Sequence, residues 1–116
     1  GVRCSLQSDA PSGPFGLECL DGAINRYDRV RNVQCDRTQA VSVMEAIRIA
    51  TLNGAYSSFE EDIKGSLEVG KLADMIVLSG DILAVDPMTI YQMQVDMTMI
   101  DGEICYVREG VQGGFQ

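Results

Sequence analysis

Gly65-Ser-Leu-Glu-Val-Gly-Lys-Leu-Ala-Asp-Met-Ile-Val-Leu78 is the stretch from which the rest of the 116-residue chain can be read. Two glycines, Gly65 and Gly70, bracket a tight turn, and glycine suits a backbone that must turn with positive φ. Lys71 adds one charged step before the apolar run Ala73, Met75, Ile76, Val77, Leu78. That run is short, β-branched at its centre and closed by Ser79-Gly80-Asp81, which predicts a buried strand rather than a helix. Before this stretch the pattern is mostly helix and loop. After it the pattern is mostly strand.

On the carboxyl-terminal side, Gly80 to Asp86 reads as a loop or irregular edge. Pro87 suits the first position of a single helical turn running through Ile90 and Tyr91. From Gln94 to Ile100 the residues alternate, with Val95, Met97 and Met99 on one face and Asp96 and Thr98, joined by Ile100, on the other. Asp101-Gly102 follows, then a second strand, Glu103 to Val107. Asp-Gly between two such runs predicts a hairpin with a type I′ turn, which needs positive φ at both central positions. Met75, Met88, Met93, Met97 and Met99 are expected to fill core space. Glu109 to Gln116, rich in Gly and Gln, is expected to fray.

On the amino-terminal side, Ser42-Val-Met-Glu45 forms a capping box. Val43, Ala46, Ile47 and Ala50 then share one helical face, and Gly54 is the expected residue just past the helix end. Ala55 to Phe59 adds one short helical turn, and Glu60-Glu61-Asp62 reads as a solvated loop. Further back, Leu17, Leu20, Ile24 and Tyr27 predict a helix within Phe15 to Val33. Gly22 costs that helix about 1 kcal/mol relative to Ala. Arg26, Arg29 and Arg31 read as its solvated basic end, and Asn32 to Val41 as a loop.

The chain opens with Gly1 to Leu6, where Val2, Cys4 and Leu6 alternate with Arg3 and Ser5, a short strand by pattern. Gln7-Ser8-Asp9-Ala10-Pro11 and Ser12-Gly13-Pro14 then make a loop. Asp9 would stand at the carboxyl end of that strand. In parallel α/β architectures this edge is where ligands bind. An aspartate there more often caps a turn through its side chain. Spacing leaves both roles open.

Composition narrows the function. The formal net charge of −8 disfavours nucleic acid as a partner, because phosphate binding wants clustered Lys and Arg. Apolar residues make up 46% of the chain, ordinary for a globular protein and enough for one domain with a core. No apolar run approaches the roughly 20 residues that span a bilayer, so no membrane partner is expected. No leader pattern is visible, and the expected location is cytoplasmic. Cys4, Cys19, Cys35 and Cys105 have no metal-site spacing, and reduced thiols are expected. With no histidine in the chain, triad chemistry within it is ruled out.

Three stretches stand in order: Ser8-Asp9-Ala10-Pro11 after a strand; Glu45-Ala46, Thr51 and Asn53-Gly54-Ala55-Tyr56 on and after the capped helix; and Gly65 to Asp74 leading to Thr98-Met-Ile-Asp-Gly-Glu-Ile-Cys-Tyr106. Together they resemble the carboxyl-terminal part of metal-dependent amidohydrolases, most of all the branch that includes N-substituted formamide deformylases. Phe59-Glu-Glu-Asp-Ile-Lys-Gly-Ser66 is especially close to that branch. The resemblance implies an α+β piece of a larger fold: the end of a (β/α)8 TIM barrel plus the carboxyl-terminal part of a small β-sandwich. Residues 1–64 would match the last barrel strand and its helices, residues 65–108 the sandwich part, and residues 109–116 a flexible tail.

The resemblance also implies chemistry. Asp9 stands where the family's aspartate binds or faces the catalytic metal and takes the proton of the attacking water. It is therefore expected to be both the catalytic and the metal-site residue. The implied cofactor is a divalent metal, zinc above all, and the implied substrate a small-molecule amide whose non-peptide carbon–nitrogen bond is hydrolysed. One carboxylate cannot hold a catalytic zinc, which needs about three protein ligands. The chain alone is thus expected to be inactive and to hold no metal. Its open strand edges suggest self-association. A non-catalytic β-rich structural or interaction module derived from the same family is the alternative.

Overall fold

The computed structural model describes residues 2–8 and 17–111, an α+β arrangement of helices followed by a small antiparallel sheet. The sheet is built from β3 (Met75–Leu78), β4 (Val95–Ile100) and β5 (Glu103–Val107) in that order. Asp101 and Gly102 take φ of 49° and 80°, as the type I′ turn requires. Ile76, Thr98 and Tyr106 lie side by side across the three strands. The hairpin tip is tied to the residues before β3, where Asp101 N–H donates to Asp74 Oδ1 at 2.8 Å and Gly102 N–H to Ala73 O at 3.3 Å. Among the described residues β3 pairs with β4 alone, and Ile76 is 52% exposed where a buried strand was expected.

The capping box forms as expected. Glu45 N–H donates to Ser42 Oγ, and Ser42 N–H donates to the Glu45 carboxylate at 2.8 Å. It opens α2 (Val43–Ala50), which breaks at Thr51, where φ is −116° and ψ −86°. The chain then resumes as α3 (Leu52–Ser57). Gly54 therefore lies inside α3 and not past a helix end. Phe59 supplies the positive φ, 61°, after α3.

The first helix, α1 (Leu17–Asn25), is shorter than its apolar spacing predicts, because Arg26 turns the chain with φ of 51°. A ribbon of β1 (Tyr27–Asp28) and β2 (Val33–Gln34) replaces the rest, and Arg37–Gln39 form a 3₁₀ turn where a loop was expected. Arg29, between the two strands, is half-buried and paired rather than a solvated end. Its Nε and Nη2 donate to the two oxygens of buried Asp21 at 2.7 and 2.6 Å, and Nη2 also reaches Met88 O at 2.9 Å. Its guanidinium lies 3.6 Å from the Tyr91 ring centroid. Asn25, also buried, donates to Asp21 and to Pro87 O, both at 2.8 Å. This network holds the Pro87–Gln92 3₁₀ helix against α1.

The core is thin. Leu17, Leu20, Ile24, Ala46 and Ile90 form its centre, with Val41, Val43, Leu78, Ile82, Val85 and Met93 packed around them. Of the five methionines expected in the core, Met97 is buried and Met93 packs on the core edge, but Met88 is 38% exposed. Large apolar side chains stand open elsewhere, among them Phe59, Leu67 and Val69. Among the described residues no helix is long and apolar enough to cross a membrane.

Candidate active site

Asp9, the expected catalytic residue, lies outside the described residues, as do residues 112–116 of the expected frayed tail. The lead-in to Asp9, residues 2–8, is described. It forms no strand, because no described strand lies beside it to complete a ladder. It is instead held against the helices. Asn53 Nδ2 donates to Cys4 O at 2.8 Å, and Leu6 N–H donates to Ile49 O at a long 3.4 Å. The Arg3 guanidinium sits 4.3 Å from the Tyr56 ring centroid. Cys19 Sγ lies 3.8 Å from Gln7 O. Burial, with a smaller contribution from Glu18, pushes the Cys19 thiol above its ordinary value. Cys4, Cys35 and Cys105 are exposed and unbridged.

The short helix α3 joins this lead-in to the Gly65–Gly70 turn. Gly65 takes φ of 91°, and a Cβ built on it would sit 2.7 Å from Ala55 Cβ and 3.0 Å from Leu52 Cα. Both the turn and the close approach therefore require glycine. Gly70 also has positive φ, 96°. Lys71 staples the loop between them, its Nζ reaching Glu61 O at 2.6 Å, Ser66 Oγ at 2.7 Å and Glu68 Oε2 at 2.8 Å. The described lead-in to Asp9, through Arg3 and Cys4, and the Gly65 loop thus both meet α3, which carries Asn53. An open groove of about 1020 Å³ runs along this junction, lined by Met44, Ile47, Leu52, Leu67 and Ile76 with Arg48 and Lys64. A smaller cavity of about 440 Å³ lies beside Leu6, Gln7 and Ser8, walled by Leu17, Leu20 and Ile47.

Several of the described carboxylates are occupied in structural roles. The Lys71 ammonium, then Ser66, holds Glu68 below the ordinary carboxylate range, and Lys64, then Ser58, does the same for Glu60. The Ser42 hydroxyl and amide hold Glu45 low. Asp36, Asp81 and Asp86 accept from backbone amides two residues on. Glu68, Glu60 and Glu45, held low in this way, are not set up as general bases near neutral pH. Among the described residues no three Cys, Asp or Glu side chains converge as a metal site. Residues 9–16 add one ligating side chain, Asp9, and the chain has no histidine. Against the roughly three protein ligands of a catalytic zinc, these residues do not fit a metal centre by themselves.

The chain is similar to known proteins over nearly all of its length. Residues 1–106 match the Amidohydrolase family. The chain is 34% identical over 111 residues to an N-substituted formamide deformylase of Arthrobacter pascens, covering 95% of this chain and 20% of that protein. It is 27% identical over 121 residues to a 5-methylthioadenosine/S-adenosylhomocysteine deaminase of Thermoanaerobacter pseudethanolicus, covering 90% of this chain and 26% of that one. A solved amidohydrolase from Thermotoga maritima superposes with a TM-score of 0.50 at 31% identity, covering 61% of this chain and 17% of its own. The chain thus spans about a fifth to a quarter of the length of these curated relatives.

The tight seat of Gly65 gives a direct test. Gly65→Ala combines a strained φ with a backbone clash and should destabilise the fold by roughly 2–5 kcal/mol. Gly70→Ala, strained but with open space around it, should cost only about 1–2 kcal/mol. Urea unfolding of the two variants checks the order.

Proposed function

The chain belongs to the amidohydrolase family, and from that premise we propose that it is the carboxyl-terminal part of a hydrolase cleaving a non-peptide carbon–nitrogen bond in a small-molecule amide. The observation that carries this reading is the family match from residue 1 to residue 106, which includes Asp9 in Ser8-Asp9-Ala10-Pro11. The deformylase relative, similar over nearly the whole chain, supports N-substituted formamides as the first substrate class to try.

In this reading Asp9 is the chain's catalytic residue. Its carboxylate takes a proton from water as the water oxygen attacks the amide carbonyl carbon. The carbon–nitrogen bond then breaks, and the proton passes to the departing amine. The family resemblance implies a divalent metal, zinc, but these residues do not supply its ligand set, so the proposal assigns the chain the carboxylate alone. Residues 1–64 are read as the last strand and helices of a barrel, 65–108 as the carboxyl-terminal part of a sandwich and 109–116 as a tail. Among the described residues the outer edges of β3 and β5 are unpaired, which supports self-association of the chain when it is expressed alone. In sedimentation it should then run heavier than one 12.6 kDa copy.

The test of Asp9 uses the protein expressed from its complete reading frame, with formanilide as the probe. Asp9→Asn should lower kcat about a hundredfold or more, with the unfolding midpoint unchanged. Activity within twofold of the parent would return Asp9 to the turn-capping role, and a parent with no hydrolytic activity would favour a non-catalytic module.

A further inference from the structure

The segment Asn53-Gly54-Ala55-Tyr56 has no part in the chemistry described so far. Yet Asn53 makes the shortest tie between the lead-in to Asp9 and the rest of the described chain, 2.8 Å to Cys4 O across 49 positions of sequence. The backbone tie at Leu6 is 3.4 Å, and the thiol contact at Gln7 is 3.8 Å. A carbonyl oxygen can pair only with the amide NH₂ of an asparagine, so its partner fixes which way the carboxamide points. Asn53 and Tyr56 stand three apart and share one face of α3. That face grips two consecutive residues, Cys4 through Asn53 and Arg3 through Tyr56. Leu52 and Ala55, the neighbouring pair of helix positions, are the ones seated on Gly65.

We infer that Asn53 is a positioning residue: its carboxamide holds the backbone of the segment that leads into Asp9, so that α3 and the Gly65 loop together set where that segment runs. This rests on the reading of Asp9 as the hydrolytic carboxylate. The step from position to rate is general, since misplacing a reacting group by about 1 Å can cost about a hundredfold in rate. Asn53 touches no reacting atom in this account and acts only through the backbone it holds.

The experiment compares Asn53→Asp with Asn53→Gln in the protein expressed from its complete reading frame. Ionised aspartate has the shape of asparagine but only accepts hydrogen bonds, whereas glutamine keeps a donor. In the Asp variant, hydrogen exchange at residues 2–8 should quicken at least about fivefold. Its kcat on formanilide should fall about tenfold to a hundredfold, with KM within about twofold. The Gln variant should recover part of both. Exchange at residues 2–8 equal to the parent's would overturn the inference, as would quickened exchange with an unchanged kcat. Should the parent itself leave formanilide intact, the formamide reading fails, and the exchange comparison still decides whether Asn53 holds the lead-in. Asn53→Ala, which adds no charge, takes the place of the Asp variant if that variant does not fold.

Discussion

Where residue 65 meets α3 there is no room for a side chain: an added Cβ would lie 2.7 Å from Ala55 Cβ and 3.0 Å from the Leu52 backbone. The loop can come this close only because glycine has no Cβ and accepts φ of 91°. Much of the arrangement follows from that contact. It places a six-residue helix, too short to be stable by its own hydrogen bonds, against a loop that Lys71 has already stapled. The same helix carries Asn53 and Tyr56, which take hold of the lead-in to Asp9. The signature loop, the helix after the capped one and the lead-in at residues 2–8 are therefore tied together, although they lie far apart in sequence.

Polar ties carry much of what a larger core would otherwise carry. Few apolar side chains are buried, while Leu67, Val69 and Phe59 are largely exposed. The part-buried pair of Asp21 and Arg29, with Asn25 and the Tyr91 ring, locks the Pro87–Gln92 helix onto α1. A pair of this kind is worth little beyond an apolar substitute, but losing one partner strands the other charge. Its value lies in fixing one arrangement of elements whose apolar faces are too small to do so. Open apolar surface and a lead-in without strand neighbours are what a piece of a larger α/β fold would show, which is the reading proposed for the chain.

Much of this was legible in the sequence where the signal is local. The capping box at Ser42 and Glu45, the Asp101-Gly102 turn, both positive-φ glycines of the signature loop and the proline-led turn at Pro87 all form as their residues dictate. The misreadings share a cause, the priority of tertiary contact over local pattern. The apolar spacing of Leu17 to Tyr27 continues past Asn25, but the chain turns at Arg26 so that Arg29 can fold back onto Asp21. Gly54 looks like a helix terminator, yet Thr51 makes the break and Gly54 sits inside α3. Residues 2–6 alternate like a strand, but alternation supplies no partner for the ladder. Asn53 was visible only as part of a family-like stretch, because a side chain bonding a backbone carbonyl 49 residues away leaves no periodic mark. For Asp9, the family likeness implies a role that composition and spacing left open, and Asp9 lies outside the described residues.

The central claim is that these 116 residues act as one part of a metal-dependent hydrolase rather than as a module in their own right. Native mass spectrometry of the protein purified from its source tests this most directly, because it reads chain mass, copy number and bound metal together. The account predicts a polypeptide several times heavier than 12.6 kDa that carries a divalent metal ion. A metal-free species at 12.6 kDa, or at a whole multiple of it, would contradict the account and leave the family likeness as a record of ancestry.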